Sequence, residues 1–121
     1  MARILFIDDD PITLEILGRA SEILGHQAIL VYQSKAALLK VAQSCPDLVL
    51  VDMMMPEVDG LGVLAELRAQ PLTASIPVIV LSAGLADDDR ARVLAAGAQD
   101  YLNKPISLNV LMSVIQKYTT H

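Results

Sequence analysis

Short aliphatic runs alternate along this chain with longer stretches of helical period. The most continuous run is Leu48-Val49-Leu50-Val51, closed at once by Asp52. Four aliphatic residues without a polar interruption predict a strand buried on both faces. Residues 3–7 form a similar run, closed by Asp8-Asp9-Asp10. Residues 27–31, 76–81 and 99–102 predict three more strands, the last two leading into Ser82-Ala83-Gly84 and Asn103-Lys104-Pro105.

Helical patterns fill the intervals. Pro11 suits the first helical position, with Asp10 placed to cap it, and Gly25 marks the end. Between them Ile12, Ile16, Ala20 and Leu24 recur at a spacing of four, which reads as the apolar face. Ser34 is placed to cap a second helix carrying Leu38, Val41, Ala42 and Cys45 on one side, stopped by Pro46. Asp59-Gly60 opens a third, over residues 60–70, with Leu61, Leu64 and Leu67. Asp87-Asp88-Asp89 stands where helix dipoles favour negative charge, and that fourth helix runs through Val93 and Leu94 to Gly97. Ser107 caps the fifth, which turns Val110, Leu111, Val114, Ile115 and Tyr118 inward.

Strand followed by helix, five times over, predicts an α/β fold: a doubly wound parallel sheet covered by helices on both faces. Five strands in one small domain suggest the flavodoxin-like order 2-1-3-4-5. The chain's 121 residues fit one domain, here without an output domain, and 54% hydrophobic residues fill its core. Aromatics are only 3%, so that core is aliphatic. No apolar run approaches the ~20 residues that span a bilayer, and the acid-closed N-terminal run is no signal peptide. A net charge of −5 argues against a nucleic-acid surface. The single cysteine, Cys45, excludes an internal disulfide and suits a reducing, cytoplasmic setting. Cys45 is expected to be buried, and His26 and His121 to face solvent. The three consecutive methionines from Met53 are expected to pack rather than bind a soft metal.

The predicted layout gathers polar groups at one sheet edge. Asp8 and Asp9 follow the first strand, Asp52 the third, Ser82 the fourth and Lys104 the fifth. Ligands of open α/β sheets bind at that edge. Three crowded carboxylates repel one another unless a cation sits among them, and hard oxygen ligands favour Mg²⁺. A carboxylate nucleophile, a divalent cation, a lysine and a hydroxyl together make a phosphoryl-transfer site.

With these residues in view, the chain resembles the receiver domains of two-component response regulators. The resemblance rests on Ile7-Asp8-Asp9, on Val51-Asp52-Met53-Met54-Met55-Pro56 with Asp59-Gly60 behind it, on Leu81-Ser82-Ala83, and on Gly97-Ala98 through Tyr101 to Lys104-Pro105. It covers essentially the whole chain. It implies that Asp52 accepts a phosphoryl group from a sensor histidine kinase or a histidine phosphotransfer protein. It implies a Mg²⁺ site of Asp9 directly, Asp8 through a water, Asp52, and the Met54 backbone carbonyl. Asp10 lengthens the acidic run and leaves open which of Asp8 and Asp9 ligates directly. Lys104 matches the lysine that contacts the phosphoryl oxygens and Ser82 the hydroxyl that turns toward them. Tyr101 matches the aromatic switch, and Pro105 follows a cis peptide. A downstream effector domain or protein reads the face of the fourth helix, fifth strand and fifth helix, which also admits a homodimer. Met54 and Gly84 occupy positions bordering the hydrolytic water in that family, and neither side chain assists it.

Two other readings compete. A haloacid-dehalogenase-type phosphatase also uses a strand-end Asp and Mg²⁺. It finds Asp8 and Asp10 at the right separation, but Thr13 comes one residue late. A degenerate receiver would act as an interaction module without phosphorylation, yet it usually lacks an acid or the lysine, and this chain has them all.

Overall fold

The computed structural model describes residues 1–83 and 88–119. Its strands are β1 (Arg3–Ile7), β2 (Gln27–Val31), β3 (Leu48–Asp52), β4 (Val78–Ser82) and β5 (Asp100–Asn103). They form one sheet in the order β2-β1-β3-β4-β5, parallel throughout. The helices are α1 (Pro11–Ile23), α2 (Ala37–Ser44), α3 (Gly60–Ala69), α4 (Asp88–Ala95) and α5 (Leu108–Thr119). This is the predicted flavodoxin-like (βα)5 arrangement.

Alternation along the central strands sorts the core into two layers, because successive strand side chains point to opposite faces. Leu5, Ile7, Val49, Val51, Val78 and Val80 pack with Val41, Val63, Leu64, Leu67 and Val93, beneath α2, α3 and α4. Ile4, Phe6, Leu48, Leu50, Ile79 and Leu81 pack with Leu14, Leu17, Leu111, Val114 and Ile115, beneath α1 and α5. The strands buried on both sides are therefore the continuous aliphatic runs. The edge strands β2 and β5 are only partly buried.

The face of α1 differs from the expected one. Ile12 and Ile16 are 69% and 61% exposed, while Leu14, Leu17, Gly18 and Ser21 are buried. Small residues decide the orientation. A Cβ at Gly18 would lie 3.2 Å from the Leu30 side chain, so this side of α1 lies closest to β2. Ser21 satisfies its buried hydroxyl on Leu17 O at 2.9 Å. Ala20 and Leu24 pack at the margin. In α5, Ser107 does cap, accepting from the Val110 N–H at 3.1 Å, but Val110 itself is exposed.

Three further expectations change. Ser34 begins a short 3₁₀ turn (Ser34–Ala36) and does not cap it or α2 with its side chain. Cys45 is exposed, because it is the C-cap of α2 in the left-handed conformation at φ 48° and lies beyond the helix's packed face. His26 is half-buried, its Nδ1 accepting from the Ala2 N–H at 3.0 Å. Asp87, Gly84 and His121 lie outside the described residues.

Two local devices place the segment after β3. Asp59 caps α3 by accepting from the Gly62 N–H at 2.8 Å. Gly60 then passes against the strand it follows, and its N–H donates to Met53 O at 2.9 Å. A Cβ at Gly60 would lie 2.7 Å from Asp52 O and 2.8 Å from Met53 Cα. Gly60→Ala should therefore cost roughly 1–3 kcal/mol in urea unfolding, whereas Gly25→Ala, whose Cβ meets nothing within 4 Å, should show only the cost of its φ of +90°.

Candidate phosphoryl-transfer site

The carboxyl ends of β1, β3, β4 and β5 converge, and the side chains they carry make one cluster. Asp52 is the last residue of β3, paired with Leu81 of β4 and 6% exposed. Asp8 lies just beyond β1, held by its N–H on Val31 O at 3.1 Å, and is equally buried. Asp9 faces solvent. Each of Asp8, Asp9 and Asp52 offers an oxygen, and the three lie within 4.8 Å of one another.

Lys104 reaches into this group from the end of β5. Its Nζ donates to Asp8 Oδ2 at 2.8 Å and lies 3.5 Å from Asp52 Oδ1. Its N–H donates to Ser82 O at 2.7 Å, which locks the lysine's backbone to the end of β4. Ser82 is the buried last residue of β4, opposite Asn103. The Lys104–Pro105 peptide is cis.

Asp10 is drawn out of the cluster. Its Oδ1 accepts from the Ile12 N–H at 3.1 Å and its Oδ2 from the Thr13 hydroxyl at 2.7 Å. The Thr13 hydrogen bond holds the Asp10 carboxyl below its ordinary value. Asp10 is thus the helix cap, which leaves Asp8 and Asp9 as the acids facing Asp52. The same bonds count against the phosphatase reading, since they commit Asp10 and Thr13 to each other.

Of the methionines, Met53 is buried in the core, Met55 packs against it, and Met54 is 72% exposed. The Met54 N–H is near enough to the Asp52 carboxylate to favour its ionised form. Tyr101 is buried, facing the α4 layer, and its hydroxyl has no hydrogen-bond partner among the described residues. Arg90 of α4 holds this strand from outside, donating to Tyr101 O at 2.9 Å and lying 3.4 Å from Asp100 Oδ1.

One structural support carries no sequence signal. Arg68 of α3 donates to Gly97 O at 3.1 and 2.9 Å, to Ile76 O at 2.8 Å and to Gln99 Oε1 at 3.1 Å. Gln99 in turn accepts from the Val78 N–H at 2.7 Å. This one side chain ties α3 to the approaches of β4 and β5. Its partners are mainly backbone carbonyls, which any sequence supplies.

The electrostatics follow from the crowding. Burial pushes the Asp52 carboxyl up, and the Asp8 charge adds to the push, while Lys104 and the Met54 N–H act the other way. Burial pulls Lys104 down, but its hydrogen bond to Asp8 and the charges of Asp52 and Asp8 outweigh this and raise it. Three carboxylates against one lysine leave negative charge uncompensated. Clustered hard oxygens with the Asp52 carboxyl driven upward suit a divalent cation.

Comparison with known proteins identifies the family. Residues 4–116 match the response regulator receiver domain, and the chain belongs to that family. The gliding motility regulatory protein of Myxococcus xanthus is 36% identical over 118 residues, 97% of this chain and 15% of that protein. The response regulator MprA of Mycolicibacterium vanbaalenii is 39% identical over 111 residues, 92% of this chain and 47% of that protein. The chain thus spans half or less of these two relatives. Among solved structures, the receiver domain of the sensor histidine kinase PA1611 from Pseudomonas aeruginosa superposes with a TM-score of 0.88 at 30% identity, covering 98% of this chain and 97% of that one. That structure has a magnesium ion coordinated in its active-site cleft. The chain is accordingly a receiver domain of two-component signalling.

The raised Asp52 carboxyl has a measurable consequence. The folded state binds this proton more tightly than the unfolded chain, so stability is gained as pH falls through the folded value and the ionised form is a cost above it. Metal-free Asp52→Asn should therefore melt above the wild type at pH 7. The gap should close as the pH is taken below the carboxylate range, and calorimetry across pH with and without Mg²⁺ checks both.

Proposed function

We propose that Asp52 is the phosphoacceptor of this receiver. A carboxylate oxygen of Asp52 attacks the phosphorus of a phosphohistidine on a sensor histidine kinase or histidine phosphotransfer protein. The P–N bond breaks, the imidazole leaves with the electron pair, and Asp52 becomes an acyl phosphate. The observation that carries this reading is the convergence of Asp8, Asp9, Asp52 and Lys104 at one sheet edge. Asp8, Asp9, Asp52 and the Met54 carbonyl would hold Mg²⁺, which when bound offsets charge on the transferring phosphoryl group.

Lys104 has two candidate partners in the resting site, Asp8 and Asp52. A phosphoryl group on Asp52 adds charge and three strong acceptors, and draws the Nζ toward them. The Ser82 hydroxyl gains a bond available only in that state. The chain thereby acts only on its own phosphoryl group. Met54, exposed and without a hydrogen-bonding side chain, gives hydrolytic water no help.

The partner that donates the phosphoryl group docks beside the site. Exposed Ile16 joins Thr13, Leu17, Leu81, Lys104, Pro105 and Ile106 in lining a cleft of about 260 Å³, and exposed Ile12 precedes Thr13 in the chain. Its apolar wall adjoins Lys104, so a helix carrying the phosphohistidine can bury that wall and present its ring to Asp52. The effector reads the face of α4, β5 and α5, where Tyr101 and Arg90 meet.

Incubation with acetyl phosphate and Mg²⁺, followed by intact mass spectrometry, tests the reading. One phosphoryl group should be gained by the wild type and none by Asp52→Asn. Full phosphorylation of that variant, or turnover of phosphate esters by the wild type, would overturn it. In the same assay Met54→Asn should shorten the lifetime of the acyl phosphate, and an unchanged or longer lifetime would count against the role given to Met54.

A further inference from the structure

The segment between Asp52 and α3 is stapled at its base and braced at its tip. Gly60 closes the base on Met53 O. At the tip, Pro56, Glu57 and Val58 form a three-residue turn in which the Val58 N–H donates to Pro56 O at 2.9 Å. Glu57 at its centre has φ 71°. A turn of this hand on a non-glycine residue is strained, and strain of this kind persists only where the surroundings hold it.

Ser34, in the loop after β2 at the same edge of the sheet, supplies that hold. Its hydroxyl donates to Pro56 O at 2.9 Å and accepts from the Val58 N–H at 3.2 Å, so one oxygen grips both ends of the turn. The residue is 4% exposed, so water does not offer a ready substitute. It makes no capping bond to its own 3₁₀ turn. Both bonds therefore go to the loop that leads away from Asp52. The neighbouring Lys35–Glu57 ion pair, 2.7 Å long, is exposed on both sides and adds little.

We propose that Ser34 is a positioning residue of the phosphoryl site. Its hydroxyl fixes the path of residues 53–59, and with it the N–H and carbonyl that Met54 presents around the Asp52 carboxylate. The proposal rests on the reading of Asp8, Asp9, Asp52 and the Met54 carbonyl as the metal site. It goes further by giving the loop between β2 and α2 a part in that site. Ser34 touches neither phosphoryl group nor metal, and acts through the backbone it holds.

The test titrates the full chain with Mg²⁺ alone and follows backbone amides by NMR, in the wild type, Ser34→Ala, Ser34→Thr and Lys35→Ala. In Ser34→Ala the Met54 amide should shift in the metal-free spectrum while core amides such as Leu50 stay in place, and Mg²⁺ affinity should fall about tenfold. Ser34→Thr keeps the hydroxyl and should recover the affinity, and Lys35→Ala should bind as the wild type does. Wild-type affinity in a folded Ser34→Ala would overturn the positioning role and leave the metal site standing. An equal loss in Lys35→Ala would assign the effect to the surface pair and overturn it as well. If Ser34→Ala fails to fold, Ser34→Thr decides: wild-type affinity with an unmoved Met54 amide supports the role, and a folded Thr variant with weakened affinity overturns it. Absence of Mg²⁺ binding by the wild type would remove both the metal site and this inference.

Discussion

The repulsion among Asp8, Asp9 and Asp52 is the constraint around which this domain is arranged. Burying two carboxylates beside a third is unfavourable, and the fold accepts it at the carboxyl edge, where the strands lead out into their helices. Lys104 offsets part of the charge by lying on Asp8 and near Asp52. Its backbone is locked to Ser82 so that it cannot drift away. What remains is a site that is under tension at rest and relaxes when further positive charge or a new set of acceptors arrives. A switch needs an energetic difference between two states that only the signal can supply, and the unpaired charge provides it.

Much of the fold can be read in the sequence because the central strands are unusually plain. A strand covered on both faces has no polar residue to obscure it, and Leu48 to Val51 has none. The polar strand ends were equally legible where Asp8, Asp52 and Ser82 directly follow or close such a run, while Lys104 follows the more polar edge strand β5. Among the three consecutive acids after β1, Pro11 marked Asp10 as the helix cap, whereas Asp8 and Asp9 were not separable by type. What tells Asp10 from its neighbours is its extended backbone, which aims the side chain back at the first turn of α1.

Other features escaped for physical reasons that differ. The face of α1 was misread because apolar spacing counts large residues, whereas the close approach of α1 to β2 selects for small ones, Gly18 and Ser21. Ser34 looked like a cap because caps are what exposed serines near helix starts usually do, but this serine is buried against a distant loop. Arg68 was silent because it recognises carbonyl oxygens, and carbonyls have no letter in the sequence. In each case the missing information was long-range and concerned the backbone.

The two core layers carry a further meaning. Tyr101 belongs with the α2–α3–α4 layer, while Leu81 and Leu17, which line the apolar cleft, belong with α1 and α5. The sheet lies between them as a partition. The apolar cleft beside α1 is therefore separated from Tyr101 by the thickness of the sheet. The cluster of charge stands at the edge where that partition ends.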